Sequence, residues 1–120
     1  MKAAAFAYAR ATSVVNALEL LAAHGDRAKV LSGGQSLMPA MNLRLLSPEL
    51  LVDIGGLAEL RGIALKGDVL VVGALTRYVD LLRSPEIALH APLLLNAVSH
   101  VAPPAIRNRG TIGGSLAHAD

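Results

Sequence analysis

Two glycine pairs sit among small polar residues in an otherwise aliphatic chain: Ser32-Gly33-Gly34-Gln35-Ser36 and Thr111-Ile112-Gly113-Gly114-Ser115. Glycine reaches positive φ and carries no Cβ, so successive backbone N–H groups can turn toward one phosphate oxygen while a neighbouring Ser or Thr adds a hydroxyl donor. A diphosphate presents several such oxygens and needs donors from more than one direction, which two motifs of this form can provide. Either motif alone also reads as an ordinary turn or helix C-cap. Neither is a phosphate loop of the Gly-Lys-Ser/Thr kind, because Gln35 follows Gly34, and neither is a G-x-G-x-x-G dinucleotide fingerprint.

The remaining polar residues suggest no reaction centre. His24, His90, His100 and His118 lack short metal-binding spacings and have no acidic partner at helical distance, so they read as surface or capping residues. His118 lies three residues past the second motif, and Arg107 and Arg109 flank that motif on its other side, facing a diphosphate, a partner subunit or solvent. Asp53, at the end of an apolar run, is expected to be a strand-end hydrogen-bonder. With no Cys there is no disulfide, thiolate nucleophile or thiolate metal site. No general base or nucleophile emerges.

The elements that carry these motifs follow a βα alternation. Ala3–Ala9 reads as a short extended segment. Thr12 or Ser13 can cap a helix whose apolar positions, Val14, Ala17, Leu18, Leu21 and Ala22, recur at helical spacing until Gly25. Lys29–Leu31 reads as a buried strand ending at Ser32. The first glycine pair then lies just past a strand's carboxyl end, where α/β folds hold ligands. Downstream, Leu50–Gly56 reads as a strand with a glycine stop, and residues 60–76 as a hairpin turning at Lys66-Gly67-Asp68. Thr76 is expected to cap a helix through Leu82. Pro92 is expected in the first turn of another, which Pro103 and Pro104 end.

At 120 residues the chain is at most one ordinary domain or part of a larger one. It is 53% hydrophobic with no Trp, one Phe and two Tyr, so its core must be aliphatic. The net charge of +2 is spread over scattered Arg and Lys, without the basic stripe of a nucleic-acid binder. The N-terminal apolar stretch is broken by Tyr8 and Arg10 and lacks a signal-peptide core, and no run approaches the roughly 18 to 20 apolar residues that span a bilayer. The chain therefore reads as soluble and cytoplasmic. It stops at Asp120 without a closing element after the second motif, so it is expected to be truncated.

The segments LSGGQSLMPAMNLRL, LVDI, VGALT and IRNRGTIGGSLAHAD, in this order, resemble the FAD-binding (medium) subunit of the molybdenum hydroxylases, the group that includes carbon monoxide dehydrogenase, xanthine dehydrogenase and related aldehyde- or aromatic-acid-oxidising enzymes. The resemblance implies an α/β (α+β) chain with the two-subdomain FAD-binding fold of the vanillyl-alcohol-oxidase / PCMH type, truncated. Residues 1–55 would form a βαβ first FAD-binding subdomain, and 56–120 the start of the second. It implies FAD as cofactor, bound by Ser32, Gly33, Gly34, Gln35, Ser36 and Leu37 through main-chain amides and a hydroxyl, and by Thr111, Ile112, Gly113, Gly114 and Ser115, with Thr111 and Ser115 as side-chain donors. Ala102 falls where the family places a small residue beside the cofactor, although Pro103-Pro104 departs from the family's usual residues. The implied partners are an iron–sulfur small subunit and a molybdopterin large subunit, in a heterotrimer that dimerises. The implied task is electron transfer from iron–sulfur clusters through FAD to an external acceptor. No catalytic residue and no metal ligand is expected. Two alternatives stay open: an FAD-dependent oxidoreductase of the same fold that acts directly on its substrate, or a domain fragment without activity.

Overall fold

Leu50-Leu51-Val52 is an unbroken apolar run, the pattern of a strand buried on both faces, and in the computed structural model it lies at the centre of a parallel sheet. The structure describes residues 1–101 and 103–119. These form two compact units, Met1–Ala58 and Glu59–Asp120.

The first unit is of α/β type. Its sheet has the order β1-β3-β2, with β1 (Ala7–Arg10), β2 (Ala28–Leu31) and β3 (Leu50–Asp53) all parallel. The register pairs Arg10 and Leu31 with Asp53 from either side, so these three residues mark the carboxyl end of the sheet. Between β1 and β2 runs α1 (Val14–His24), capped at Ser13, whose Oγ accepts from the Asn16 amide at 2.9 Å. The Asn16 side chain in turn accepts from the Thr12 amide at 3.0 Å, a reciprocal cap that satisfies two otherwise unpaired donors. Gly25 ends the helix with φ 54°. Leu51, Val52 and Met41 are almost fully buried, and Ala17, Ala28, Leu50 and Leu57 are buried as well. The extended segment expected over Ala3–Ala9 pairs only from Ala7, where β3 offers a partner.

The second unit is α+β. The hairpin of β4 (Ile63–Lys66) and β5 (Val69–Val72) turns at Gly67, whose φ is 60°. One face of the hairpin, Ile63, Leu70 and Val72, packs on a core of Tyr78, Leu81, Ile87 and Val98. These core residues come from α3 (Tyr78–Arg83), α4 (Pro85–His90) and α5 (Pro92–Ser99); α6 (Pro104–Arg109) and α7 (Ile112–His118) follow.

Three local expectations are corrected here. Thr76 does not cap α3: its buried hydroxyl is spent on Gly62, accepting from the amide and donating to the carbonyl at 3.1 Å each, and Arg77 takes the cap position without a side-chain bond. Pro103 and Pro104 do not end α5, which stops at Ser99; they open α6, because a proline at the first helical position gives up an N–H that has no partner anyway. The second glycine pair is not a turn. It forms the first turn of α7, capped by Thr111.

Candidate cofactor-binding site

The first glycine motif leaves β2 at the carboxyl end of the parallel sheet. Its take-off is fastened across the sheet, where the Ile54 amide donates to the Leu31 carbonyl at 3.0 Å. Gly34 then adopts φ 73°, in the left-handed region that favours glycine. Immediately after it, Met38 donates to the Gly34 carbonyl and Ala40 to the Ser36 carbonyl, both at 3.2 Å, which starts α2 (Leu37–Asn42). Gln35 folds back, its side-chain amide donating to the Gly33 carbonyl at 3.1 Å. Among the described residues, the backbone amides of Gly33, Gly34, Gln35 and Ser36 donate to no protein acceptor. Four successive donors are therefore left for something else, in a loop that is half-buried at Gly33 to Gln35 and open at Ser36.

A Cβ built on Gly34 would lie 3.3 Å from Leu31 Cδ1 and 3.4 Å from Met38 Cγ. It would thus point at two side chains of its own unit. The glycine is needed here for its backbone angle, which turns the amides, more than to clear a path for a ligand.

The second motif is wired differently. Ile112 donates to the Thr76 carbonyl at 3.0 Å, Gly113 to the Ala74 carbonyl at 2.8 Å, Gly114 to Thr111 Oγ1 at 3.2 Å and Ser115 to the Thr111 carbonyl at 3.1 Å. The four amides from Ile112 to Ser115 are all used within the protein. Gly113 is required because a Cβ there would stand 2.7 Å from both the Cβ and the carbonyl oxygen of Ala74. Thr111 is buried, and Ser115 is exposed. Arg107 and Arg109 lie in the last turn of α6, with His118 at the end of α7. Ala102 lies outside the described residues.

A cluster that the sequence reading did not assemble lies at the sheet's carboxyl end. Asp53 Oδ1 accepts from the Gly55 amide at 2.7 Å, and its Oδ2 accepts a short hydrogen bond from the Tyr8 hydroxyl. Asp53 is thus the strand-end hydrogen-bonder its position suggested. The Arg10 guanidinium closes over Gly56, where a Cβ would meet Nε at 2.8 Å. The hydrogen bond to Asp53, which needs the phenol protonated, is the main cause raising the Tyr8 pKa above the ordinary tyrosine value, with burial and the Asp53 charge adding to it and Arg10 opposing it. The Tyr78 hydroxyl is pushed upward by burial. Tyr8 and Arg10 on β1 are far in sequence from Asp53 and Gly55, and the strand register brings the two pairs together.

Among the described residues no group of three or more His, Asp and Glu side chains could hold a metal ion, and no helix is long and apolar enough to cross a membrane.

Residues 4–120 match the family described as the FAD binding domain in molybdopterin dehydrogenase. The 6-hydroxypseudooxynicotine dehydrogenase complex subunit alpha of Paenarthrobacter nicotinovorans is 50% identical over 120 residues, covering 100% of this chain and 40% of the relative. The carbon monoxide dehydrogenase medium chain of Hydrogenophaga pseudoflava is 48% identical over 113 residues, 94% of this chain and 39% of that one. Among solved structures, carbon monoxide dehydrogenase from Hydrogenophaga pseudoflava, in a form lacking the Mo-pyranopterin moiety of its molybdenum cofactor, superposes with a TM-score of 0.98 at 47% identity, over 100% of this chain and 42% of that chain. The chain spans about two fifths of the length of these relatives.

Proposed function

The chain belongs to the FAD-binding domain family of the molybdopterin dehydrogenases, and from that premise we propose that it is the FAD-diphosphate-holding part of the medium-type subunit of an oxidoreductase complex. The first glycine motif fits the group. Four consecutive amides without an acceptor among the described residues, turned by a glycine at φ 73°, are the donor set that a diphosphate needs. This observation carries the proposal. Ser32, Gly33, Gly34, Gln35, Ser36 and Leu37 would hold the diphosphate from the carboxyl end of β2.

The second motif contributes in another way. With the amides of Ile112, Gly113, Gly114 and Ser115 all bonded internally, its part falls to the hydroxyls of Thr111 and Ser115, with Ile112, Gly113 and Gly114 assigned to the site on the resemblance. Ala102 is assigned beside the cofactor on the resemblance alone. In this scheme residues 1–55 are the first FAD-binding subdomain and 56–120 begin the second, a division three residues before the boundary between the two compact units.

FAD supplies the redox chemistry, accepting electrons from iron–sulfur clusters and passing them to an external acceptor, while the protein binds and orients it. The chain's own residues donate hydrogen bonds, exclude side chains from the loop and fix its take-off. We assign the partners as an iron–sulfur small subunit and a molybdopterin large subunit, and the compartment as cytoplasmic.

The test is the absorption spectrum of the purified 120-residue chain after incubation with FAD and desalting, beside Gly34→Val. The proposal expects flavin bands retained by the chain and lost from the variant. A chain folded by circular dichroism that stays colourless would refute FAD holding by these residues.

A further inference from the structure

The loop's amides can converge only if the strand end from which the loop departs is held still, and Leu31, the last residue of β2, is held from two sides. Its carbonyl accepts from Ile54 at 3.0 Å, and its side chain lies against Gly34, where a Cβ would come within 3.3 Å of Leu31 Cδ1. The Ile54 amide is itself placed by a turn, in which Asp53 Oδ1 accepts from Gly55 at 2.7 Å and the Ile54 carbonyl accepts from Leu57 at 3.0 Å. Asp53 is in turn held from β1, where the Tyr8 hydroxyl donates to its other oxygen. Little slack is left in this turn: a Cβ on Gly55 would stand 2.9 Å from Asp53 Oδ1, and one on Gly56 would stand 2.8 Å from Arg10 Nε.

We infer that Asp53 is a positioning residue for the flavin diphosphate loop, acting through the Gly55 turn and the Ile54–Leu31 hydrogen bond to set the direction of the amides of Gly33 to Ser36. The inference rests on the proposed role of that loop, but the geometry it concerns exists without ligand. Asp53 touches no cofactor in this scheme. It is a carboxylate because a single short side chain must accept from the backbone of its own turn and from a phenol on the neighbouring strand at once. Asn can serve the first partner through its Oδ1; Glu, one methylene longer, keeps the charge but cannot close the turn.

Amide NMR spectra of the ligand-free 120-residue chain and of Asp53→Ala, Asp53→Asn and Asp53→Glu test this directly, followed by titration with FAD and with ADP. In Asp53→Ala and Asp53→Glu the resonances of Gly33, Gly34, Gln35 and Ser36 should shift along with those of Ile54–Leu57, while Asp53→Asn should leave the loop resonances near their original places. FAD and ADP affinity should fall about three- to tenfold in the first two variants, the equivalent of one well-placed hydrogen bond, and less than about twofold in Asp53→Asn. Shifts confined to residues 53–57, with the loop amides unmoved, would overturn the inference. If Asp53→Ala does not fold, Asp53→Glu and Asp53→Asn decide the same question. A parent chain whose loop amides ignore both ligands would refute the proposed function instead, and the ligand-free spectra would still decide whether Asp53 positions the loop.

Discussion

The role of Gly34 can be separated into backbone angle and bulk, and the structure predicts which matters. At φ 73° a residue with a Cβ costs about 1–2 kcal/mol, and a β-branched one more. The Cβ itself meets only the side chains of Leu31, at Cδ1, and Met38, at Cγ, at 3.3 and 3.4 Å, which can give by tenths of an ångström. The cost is therefore conformational. Asn enters the left-handed region far more readily than Val at similar size, so Gly34→Asn should keep most of the loop geometry where Gly34→Val loses it. For a unit of this size about 1 kcal/mol corresponds to roughly 4–8 °C in melting temperature. Gly34→Val should then melt about 8 °C or more below the parent without ligand, and Gly34→Asn only a few degrees below. Ligand at about a hundred times its Kd adds roughly 2.7 kcal/mol of stability, so melting curves with and without FAD read binding as a second, independent quantity. The expected order of FAD-induced stabilisation is parent, Gly34→Asn, then Gly34→Val with little or none. Equal loss in Asn and Val would refute the conformational argument and show that bulk at this position is what the cofactor rejects.

Gly113→Ala forces a Cβ to 2.7 Å from the Ala74 carbonyl oxygen and should cost about 2–3 kcal/mol in urea unfolding, whereas Gly114→Ala meets only Thr111 Oγ1, at 2.9 Å, and should cost less. Thr111→Val removes the hydroxyl that caps Gly114 and should lower stability by about 1 kcal/mol in the same assay; no change would show the cap to be replaced by solvent. Because Tyr8 titrates higher in the folded chain than when unfolded, the contribution of its bond to Asp53 is whole below the ordinary tyrosine value of 10.0 and is lost as pH rises through the folded-state value. Ultraviolet titration of the chain and of Asp53→Asn should show the phenol ionising at lower pH in the variant, and coincident curves would contradict the assigned cause. Glu49→Gln breaks the exposed Arg27–Glu49 pair, 3.5 Å apart, and should change stability by less than about 0.5 kcal/mol.

The sequence by itself determined the strand-helix-strand start, the hairpin at Gly67 and the position of the first glycine pair beyond a strand. These depend on neighbours within a few residues: an apolar run, a Ser cap, a glycine stop. It also carried the family, through motifs whose order and separation can be read without coordinates. The fate of Thr76 was not legible, because the same hydroxyl can cap the helix ahead or bond to a loop 14 residues earlier, and only the fold brings Gly62 within reach. Pro103-Pro104 was ambiguous in the same way, since proline ends one helix and begins another with equal ease. The two glycine pairs looked alike as letters and proved unlike as structures. Among the described residues one pair leaves its amides without acceptors, and the other spends them on Ala74 and Thr111. The Asp53–Gly55 turn is local, but the Tyr8–Asp53 contact was decided by tertiary structure alone. Parallel pairing of β1 with β3 sets Tyr8 beside Leu51 and so within reach of Asp53, 45 positions along the chain, and nothing local to either strand encodes that register.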